Sequence, residues 1–313
     1  MDRRGFISSV GCGLLSLGLA GCGLADTDKK DTAKTPPASA PAPLPSGGPD
    51  RNKLVVAEGT DPNNLIEKGF AALGGIGAWV KKGNSVVIKP NFSVPRKPEE
   101  AATTNPQLVA ALVRQCLAAG AKEVKVIDYP FNSPPVCLTN SGIKAAVEAA
   151  GGKAYVTNAQ SFYTQVDAGG SVLKTMLFSQ DVLAADVFIN FPILKHHGIT
   201  KLTMGLKNMM GLVWDRGYFH RTDLNQTIAE LAAFRKPHLT ILDATRGITA
   251  NGPGGPGPIQ EWKQVVFGVD QVAVDTYGAT LFGMAPADIA YLPLAAQLGL
   301  GEMDLRKMTV VKV

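Results

Sequence analysis

A largely apolar run, Val187 to Phe191, is followed at once by Pro192 and then by a segment crowded with polar side chains. That segment holds three of the chain's four histidines, together with cationic and amide residues: Lys195, His196, His197, Lys201, Lys207, Asn208, Asp215, Arg216, His220 and Arg221. A buried strand that opens into such a segment is typical of α/β proteins, which bind ligands at the carboxyl ends of their strands. The chain is therefore expected to place a site for an anion, a metal-bearing cofactor, or both where this strand ends.

Short β-rich runs alternate with helical stretches along the rest of the chain. The predicted strands are residues 54–57, 86–89, 124–127, 154–157, 172–177, 187–191, 238–243, 265–269 and 309–312. Helix starts are indicated by Asp61-Pro62, Asn105-Pro106 and Asp270, because a polar cap and a proline in the first turn favour helix initiation. Such alternation predicts an α/β fold with a largely parallel sheet flanked by helices. In the last of these helices Asp275 lies off the face that carries Ala273, so it is expected to point to the sheet edge or to solvent.

The first 22 residues have the features of an export signal. Arg3-Arg4 form a twin-arginine motif, and an apolar segment of about 15 residues follows, too short for a comfortable membrane span. It ends in Leu19-Ala20-Gly21-Cys22, which resembles the lipobox of bacterial lipoproteins, so Cys22 is the predicted lipidation site. An ordinary signal peptide that contains a cysteine is the alternative. Export by the twin-arginine translocation machinery carries folded proteins and would therefore suit a protein with a bound cofactor.

Residues 23–52 are rich in Pro, Ala, Ser, Thr, Lys and Asp and have almost nothing apolar to bury. This composition predicts a disordered tether between the lipid anchor and the folded part. Residues 53–313 are then expected to form a single compact unit, exported and held on the periplasmic or outer side of a membrane. Gly23 after Cys22 favours the outer membrane if there are two.

The charge and the cysteine content limit the classes of ligand and cofactor that the chain is expected to bind. The net charge is +5, but no block of lysines and arginines occurs in the folded part, so a nucleic-acid partner is not expected. The positive balance fits a small anionic ligand. The four cysteines form no CxxC motif and no iron–sulfur pattern; a disulfide between Cys116 and Cys137 remains open.

Several residues are candidates for anion binding. Lys89 ends a predicted strand and Asn91 follows it, while Thr104 and Asn105 open a helix whose free N–H groups suit a carboxylate or phosphate. Lys195 and Asn208 belong to the polar segment and are assigned to the same role. Asp128 stands at the end of the next predicted strand, as Lys89 does at the end of its own, and is a further candidate.

Two residues are the candidates for catalysis. His197, beside Gly198, is predicted to act as a general acid or base. Lys207 lies among methionines, and a desolvated lysine can serve as a nucleophile or a cofactor anchor. His196, His220 and Asp243 are assigned as metal ligands, although no compact metal motif is present; imidazole ligands would suit Zn, Ni or Fe. Residues 251–258, rich in glycine and proline, predict a sharply turned loop that approaches a ligand or forms a surface turn.

From Leu54 onward the chain resembles the domain-of-unknown-function family 362 (DUF362). The matching motifs are VVIKPN at 86–91, TTNP at 103–106, the Gly120-Ala121 turn into a strand ending at Asp128, ADVFINFPILKHHGITKLTMGLKNMMG at 185–211, LDATRGITANGPGG at 242–255 and GVDQVAVDTYG at 268–278. This family has no established common activity. Many members carry a four-cysteine ferredoxin-like region, which this chain lacks.

A fainter resemblance is to the amino-terminal domain of the lactate racemase family. There a histidine works as acid and base, and a lysine holds a nickel-pincer nucleotide. The resemblance implies that His197 matches that histidine, Lys207 the lysine and, loosely, His220 the nickel ligand. The chain has Asp128-Tyr129 where the racemases have their other catalytic histidine.

Together these features predict an exported, lipid-anchored enzyme of unknown reaction that acts on a small anionic substrate through histidine acid/base catalysis. Dependence on a metal or a cofactor is left open. The first alternative is a lipoprotein that binds a ligand or a metal without chemistry. The second is a structural or assembly factor.

Overall fold

The computed structural model describes residues 50–313. The predicted signal peptide, Cys22 and most of the tether lie outside the described residues. The strands are β1 (Lys53–Glu58), β2 (Ser85–Pro90), β3 (Glu123–Asp128), β4 (Lys153–Val156), β5 (Tyr163–Asp167), β6 (Thr175–Ser179), β7 (Val187–Phe191), β8 (Lys195–His197), β9 (Lys201–Thr203), β10 (Leu239–Ile248), β11 (Ile259–Gly268) and β12 (Thr309–Lys312).

The helices alternate with these strands. They are α1 (Pro62–Ala72), α2 (Pro106–Ala118), α3 (Pro134–Asn140), α4 (Ile143–Ala149), α5 (Gln180–Ala184), α6 (Gly205–Asn208), α7 (Arg216–Arg221), α8 (Leu224–Phe234), α9 (Gln271–Leu281) and α10 (Tyr291–Gln297). The predicted caps are confirmed. At the starts of α1, α2 and α9, the side chains of Asp61, Asn105 and Asp270 accept hydrogen bonds from backbone N–H groups. No helix within residues 50–313 is long and apolar enough to cross a membrane.

One sheet of eight strands has the order β12-β1-β11-β10-β7-β2-β3-β4. All neighbouring pairs are parallel except the two that β11 makes with β1 and β10. The predicted α/β class with a largely parallel sheet is therefore confirmed. From β2 the chain proceeds through β3 to β4 on one side and returns as β7 on the other. The carboxyl ends of β2 and β7 thus border a topological switch point, where α/β folds characteristically bind ligands.

Helices cover both faces of this sheet. Because successive strand residues point to opposite faces, Val55 and Ala57 of β1 pack in one apolar cluster and Leu54 and Val56 in another. The first cluster contains side chains of α1, α2 and α4, and the second contains side chains of α6, α8, α9 and α10. A sheet buried on both faces accounts for the nearly continuous apolar strands in the sequence.

Several elements differ from the predictions. The run predicted at 172–177 is β6, which begins at Thr175 and pairs with the unpredicted β5 in a separate two-stranded sheet. The β8–β9 hairpin and the short helices α3 and α7 were also not predicted. Each is too short, at three to seven residues, to show a clear apolar period. Cys116 and Cys137 are buried free thiols.

The expectation that Asp275 faces the sheet edge or solvent is wrong. Helix α9 is buried on more than one side, and Asp275 is fully buried. Its carboxylate accepts the backbone N–H of Gly205 at 2.6 Å and that of Leu206 at 2.9 Å. Asp275 therefore holds the start of α6, the short helix that carries Lys207 and Asn208.

Replacing Asp275 should destabilise the fold through these two bonds. Asp275→Ala leaves two buried N–H groups without an acceptor, at a cost of about 1–3 kcal/mol for each unsatisfied group. We expect the free energy of unfolding to fall by about 3 kcal/mol, measured by urea denaturation. Asp288→Ala is the control, because Asp288 is 58% exposed and its 4.0 Å ion pair with Lys201 contributes little. Equal stability of the two variants would contradict this role.

Candidate functional site

A cavity of about 630 Å³ opens at the carboxyl ends of β2 and β3. Its walls come from the segments that follow β2 and β3, from the β8–β9 hairpin, from α6, from α7 and from the loop after β10. The lining residues are Lys89, Asn91, Ser93, Asp128, Tyr129, Phe131, Lys195, His197, Gly198, Ile199, Thr203, Lys207, Asn208, Met210, Gly211, Trp214, Asp215, Arg216, Gly217, His220, Gly252 and Pro253. A cavity of this size accommodates a small organic ligand.

A buried ion pair forms the floor of the cavity. Lys89 Nζ lies 2.8 Å from Asp128 Oδ1, and both side chains are only 1% exposed. The same ammonium donates to Asn208 Oδ1 at 2.9 Å and to the Pro90 carbonyl at 2.8 Å. Asp128 also accepts the backbone N–H groups of Phe92 and Tyr129. Because all three N–H donors of Lys89 have protein acceptors, this lysine organises the floor and has no donor left for a ligand.

Gly211 is required for this floor. A Cβ atom at Gly211 would lie 2.1 Å from Asp128 Oδ1 and 2.8 Å from Lys89 Nζ. Any side chain here would displace the ion pair, so the segment after α6 can cross the floor only as glycine. This contact explains why a glycine follows the Lys207-Asn208 pair in the sequence.

Two asparagines connect the floor to neighbouring strands. Asn208 Oδ1 accepts from Asn91 Nδ2 at 3.0 Å, and Asn208 Nδ2 donates to Asn190 Oδ1 at 2.8 Å. The Asn91 backbone N–H in turn donates to Thr104 Oγ1 at 2.9 Å. Asn91 and Asn208 are almost completely buried. Their amides therefore act mainly to orient the side chains around the cavity.

Lys195 is buried without a carboxylate partner. Its Nζ donates to Ala102 O at 2.6 Å, to Pro253 O at 3.1 Å and to Asn91 Oδ1 at 3.2 Å. Burial, together with the nearby charge of Lys207, lowers the pKa of Lys195 to about 7. The three N–H donors of this lysine, like those of Lys89, are already used within the protein.

Lys207 differs from the other two cavity lysines. The one polar contact of its Nζ within the described chain is the thioether sulfur of Met210, at 3.7 Å. Sulfur is a weak acceptor, so this ammonium lacks a strong partner. Burial, followed by the charges of Arg216 and Lys89, lowers the pKa of Lys207 to about 8.

Arg216 also faces the cavity, and within the described residues it has no salt-bridge partner. Its guanidinium carbon lies 4.6 Å from the centre of the Tyr129 ring and 5.9 Å from that of Phe131. Tyr129 itself stacks on Trp214, with ring centres 5.2 Å apart and planes 4° from parallel. Within residues 50–313 no carboxylate lies within 4.0 Å of this guanidinium. Stacking on aromatic rings thus positions Arg216 and leaves its N–H groups available to a ligand.

The environment of His197 fixes its protonation. Its Nδ1 accepts the backbone N–H of Ile199 at 3.1 Å and that of Thr200 at 3.3 Å. Burial, and then the positive charges of Lys207 and Lys195, lower the pKa of His197 to about 3. The ring is therefore neutral near pH 7 and carries its proton on Nε2. A neutral ring in this state has no free lone pair for a base, so the geometry favours a hydrogen-bond donor over the predicted acid/base role.

The structure does not gather the predicted metal ligands. His196 points away from His197 across β8, and its Nδ1 accepts from the Gly252 N–H at 3.0 Å. Asp243 is fully buried, and its carboxylate accepts from the Asn105 N–H at 2.8 Å and from Arg246 Nη1 at 3.1 Å. His220 does line the cavity, where burial and then the charges of Lys207 and Arg216 lower its pKa.

A metal or a nickel-bearing cofactor is poorly matched by the donors in this cavity. Two imidazoles face it, from His197 and His220, and its carboxylates already pair with Lys89 and Arg221. In the described part of the chain no three His, Cys, Asp or Glu residues form a metal-binding group. The Nδ1 of His197 is also occupied by backbone donors.

The amino-terminal end of α2, which was predicted to bind an anion, forms hydrogen bonds with other groups of the protein. Thr104 Oγ1 donates to the Phe191 carbonyl at 2.9 Å, and the Asn105 side chain accepts from Gln107 N. The Asp243 carboxylate occupies the place at Asn105 N where an anion was expected. Thr104 and Asn105 therefore support the cavity from outside its lining.

The loop of residues 251–258 contributes Gly252 and Pro253 to one wall of the cavity. Arg96 fastens this loop by donating to the Gly254 carbonyl at 2.6 Å and to the Gly255 carbonyl at 2.9 Å. Gly252 must lack a side chain, since a Cβ there would lie 1.8 Å from the His196 carbonyl. The predicted turn is thus an anchored loop, and Lys195 also donates a hydrogen bond to its Pro253 carbonyl.

Three lining residues were not predicted as site residues from the sequence: Arg216, Tyr129 and Trp214. Arg216 and Trp214 lie in the polar segment that begins after β7, which was a usable signal. Tyr129 follows β3 in a distant part of the chain, so its contact with Arg216 appears only after folding. Eight of the candidate residues line the cavity: Lys89, Asn91, Asp128, Lys195, His197, Lys207, Asn208 and His220.

Comparison with known proteins identifies the family of this chain. The model of the DUF362 family, a domain of unknown function, matches residues 86–280. Thylakoid-associated protein sll1697 of Synechocystis sp. is 30% identical over 244 residues, which cover 73% of this chain and 72% of the relative. The lactate racemase apoprotein of Thermoanaerobacterium thermosaccharolyticum is a similar solved structure, with a TM-score of 0.48 and 10% identity over 74% of this chain and 57% of the racemase chain. As its motifs predicted, the chain belongs to the DUF362 family.

Proposed function

We propose that this protein is an enzyme that binds a small carboxylate or phosphate in the cavity and acts on it. Arg216 and Lys207 carry the proposal, because both are cationic, both line the cavity and neither has a carboxylate partner within the described residues. Both side chains are half-buried, and a charge removed from water in this way is costly unless a partner or a ligand compensates it. An anionic ligand supplies that compensation.

The charge balance of the cavity supports the same conclusion. Asp128 is paired with Lys89 on the floor, and Asp215 is paired with Arg221 at 2.8 Å. The two carboxylates of the lining are thus already engaged, whereas Lys195, Lys207 and Arg216 form no salt bridge with a carboxylate of the described residues. A ligand with one or two negative charges fits this excess.

His197 takes a different part in this proposal from the one expected of it. As a neutral imidazole with its proton on Nε2, it would donate a hydrogen bond to an oxygen of the ligand. Such a donor stabilises negative charge that develops on that oxygen during a reaction. Lys207, which lies close enough to depress the pKa of His197, is the group with the free lone pair when deprotonated.

A second candidate function is ligand binding without chemistry. It is favoured by one observation: neither cavity carboxylate is free to act as a base. Recovery of a tightly bound anion unchanged after long incubation would support binding, and conversion to a product would support the enzyme.

We also propose that the protein is exported by the twin-arginine pathway and anchored through a lipid on Cys22. Arg3-Arg4, the apolar segment and the Leu19–Cys22 sequence support this. The relative from Synechocystis is named a thylakoid-associated protein, and a membrane association of this chain would agree with that name.

Loss of either unpaired cation should weaken anion binding. We expect Arg216→Gln and Lys207→Met each to lower the affinity for sulfate and inorganic phosphate by about 10- to 100-fold, since a charge-assisted hydrogen bond contributes about 1.5–3 kcal/mol. Isothermal titration calorimetry measures this. Arg306→Gln is the control, because Arg306 is 90% exposed and pairs with Asp304 outside the cavity. Wild-type affinity in both cavity variants would refute the proposed site.

Anion affinity should fall as the pH rises. The pKa of Lys195 is about 7 and that of Lys207 is about 8, and sulfate keeps its charge through this range. The positive charge of both lysines attracts the anion, although Lys195 has no donor left to bind it directly. The affinity should therefore be highest below pH 7 and decrease above it, by up to about tenfold per pH unit for each lysine. Lys207→Met should remove the part of the decrease near pH 8. An affinity that rises over this range would contradict the assignment.

Lipidation has its own test. Cys22→Ala should shift the protein from the membrane fraction to the soluble fraction in its native host, because the acylated cysteine is the proposed anchor. Replacing Arg3-Arg4 by two lysines should instead block export and leave the protein inside the cell. Immunoblots of fractionated cells distinguish the two results, and an unchanged distribution of both variants would contradict the proposal.

A further inference from the structure

Three lysines line the cavity among residues 50–313, and their amines are in different states. Lys89 donates to a carboxylate, an amide and a carbonyl, and Lys195 donates to two carbonyls and an amide. Each has used all three of its N–H donors. Lys207 has a single weak contact, with the Met210 sulfur. Only the Lys207 amine is therefore both in the cavity wall and free to approach a ligand.

The surroundings of Lys207 favour a reactive amine. Its side chain is surrounded by apolar and cationic groups, with Arg216 and Lys89 the charges that act on it most. Desolvation and like charge both disfavour the ammonium form. A lysine in such a setting retains a substantial neutral fraction near pH 7.5, and the neutral amine is the nucleophile.

The neighbours of Lys207 define what its partner would carry. Arg216 presents a planar guanidinium held on the Tyr129 ring, and a guanidinium matches a carboxylate through two parallel hydrogen bonds. His197 presents an Nε2–H donor suited to a carbonyl oxygen. A carboxylate directly bonded to a carbonyl group satisfies both requirements in a small ligand.

We propose that Lys207 forms a Schiff base with the carbonyl group of a small 2-oxo acid whose carboxylate is bound by Arg216. This rests on the proposed anion-binding function of the cavity and adds the substrate class and the covalent step. The assignment uses the free amine of Lys207, the stacked guanidinium of Arg216 and the donor nitrogen of His197, all on one cavity lining.

The step is balanced without a further reactant. The Lys207 Nζ lone pair attacks the carbonyl carbon, the C–N bond forms, and the carbonyl π electrons move to the oxygen, which takes a proton released from Nζ. The resulting carbinolamine loses its hydroxyl group as water together with the second proton of Nζ, and the nitrogen lone pair completes the C=N bond. His197 stabilises the oxygen by donating Nε2–H and keeps its own proton.

The experiment traps this adduct by reduction. The full-length protein is incubated with pyruvate, glyoxylate or 2-oxoglutarate and sodium cyanoborohydride, and intact mass and peptide mapping locate the product. We expect one adduct per chain, on Lys207, that saturates with 2-oxo acid concentration and is suppressed by sulfate.

Two variants make the result specific. Lys207→Arg keeps the positive charge but has no nucleophilic amine, so it should bind sulfate and form no adduct. Lys201→Arg is the matched control, since Lys201 lies on the same hairpin as His197 but is 52% exposed and outside the lining; it should be labelled as the wild type is.

The outcomes separate the two proposals. An adduct that persists in Lys207→Arg, that spreads over exposed lysines, or that is absent with all three acids while sulfate still binds would overturn the Schiff base and leave the anion site standing. Failure of the wild type to bind sulfate or phosphate would overturn the anion-binding function itself.

Discussion

The buried ion pair between Lys89 and Asp128 is the interaction on which the rest of the site depends. It joins the carboxyl ends of β2 and β3 next to the switch point of the sheet. Removing two charges from water is expensive, and the attraction between them repays the cost only when their remaining hydrogen-bonding capacity is also satisfied. Here Asn208, Pro90 and two backbone N–H groups provide that satisfaction. The position of α6 follows from the pair, because Asn208 must reach Lys89 and Gly211 must pass over Asp128.

Around this neutral pair the protein retains positive charge that it does not compensate. Lys195 is solvated by carbonyls, Arg216 by aromatic rings and Lys207 by a thioether. None of these partners carries a formal negative charge, so the desolvation of these cations destabilises the free protein. A bound anion offsets this destabilisation, so the affinity for anions is a direct result of how the fold is built. Burial, and then the charges of Lys207 and Lys195, lower the pKa of His197 and keep its imidazole neutral.

The fold was predictable because its signals are local. Strand runs, helix caps such as Asn105 and the polar segment after β7 could all be recognised from neighbouring residues. The site was only partly predictable, because a buried polar residue can serve the fold or a ligand with the same chemistry. Asp243 and Thr104 bind backbone and side-chain groups of their own chain, as they would have bound a metal or an anion. The contact of Arg216 with Tyr129 joins distant segments, and nothing in either segment alone indicates it.

The wall formed by residues 251–258 has a consequence for how a ligand arrives. Arg96, His196 and Lys195 all bind this loop, so it is held in place by the protein's own groups. The cavity lining also includes Phe131 and Ile199, which are 58% and 70% exposed. Since the loop is anchored before any ligand binds, a ligand should find this wall already in place. The entropy lost on binding should then include little from the ordering of this loop.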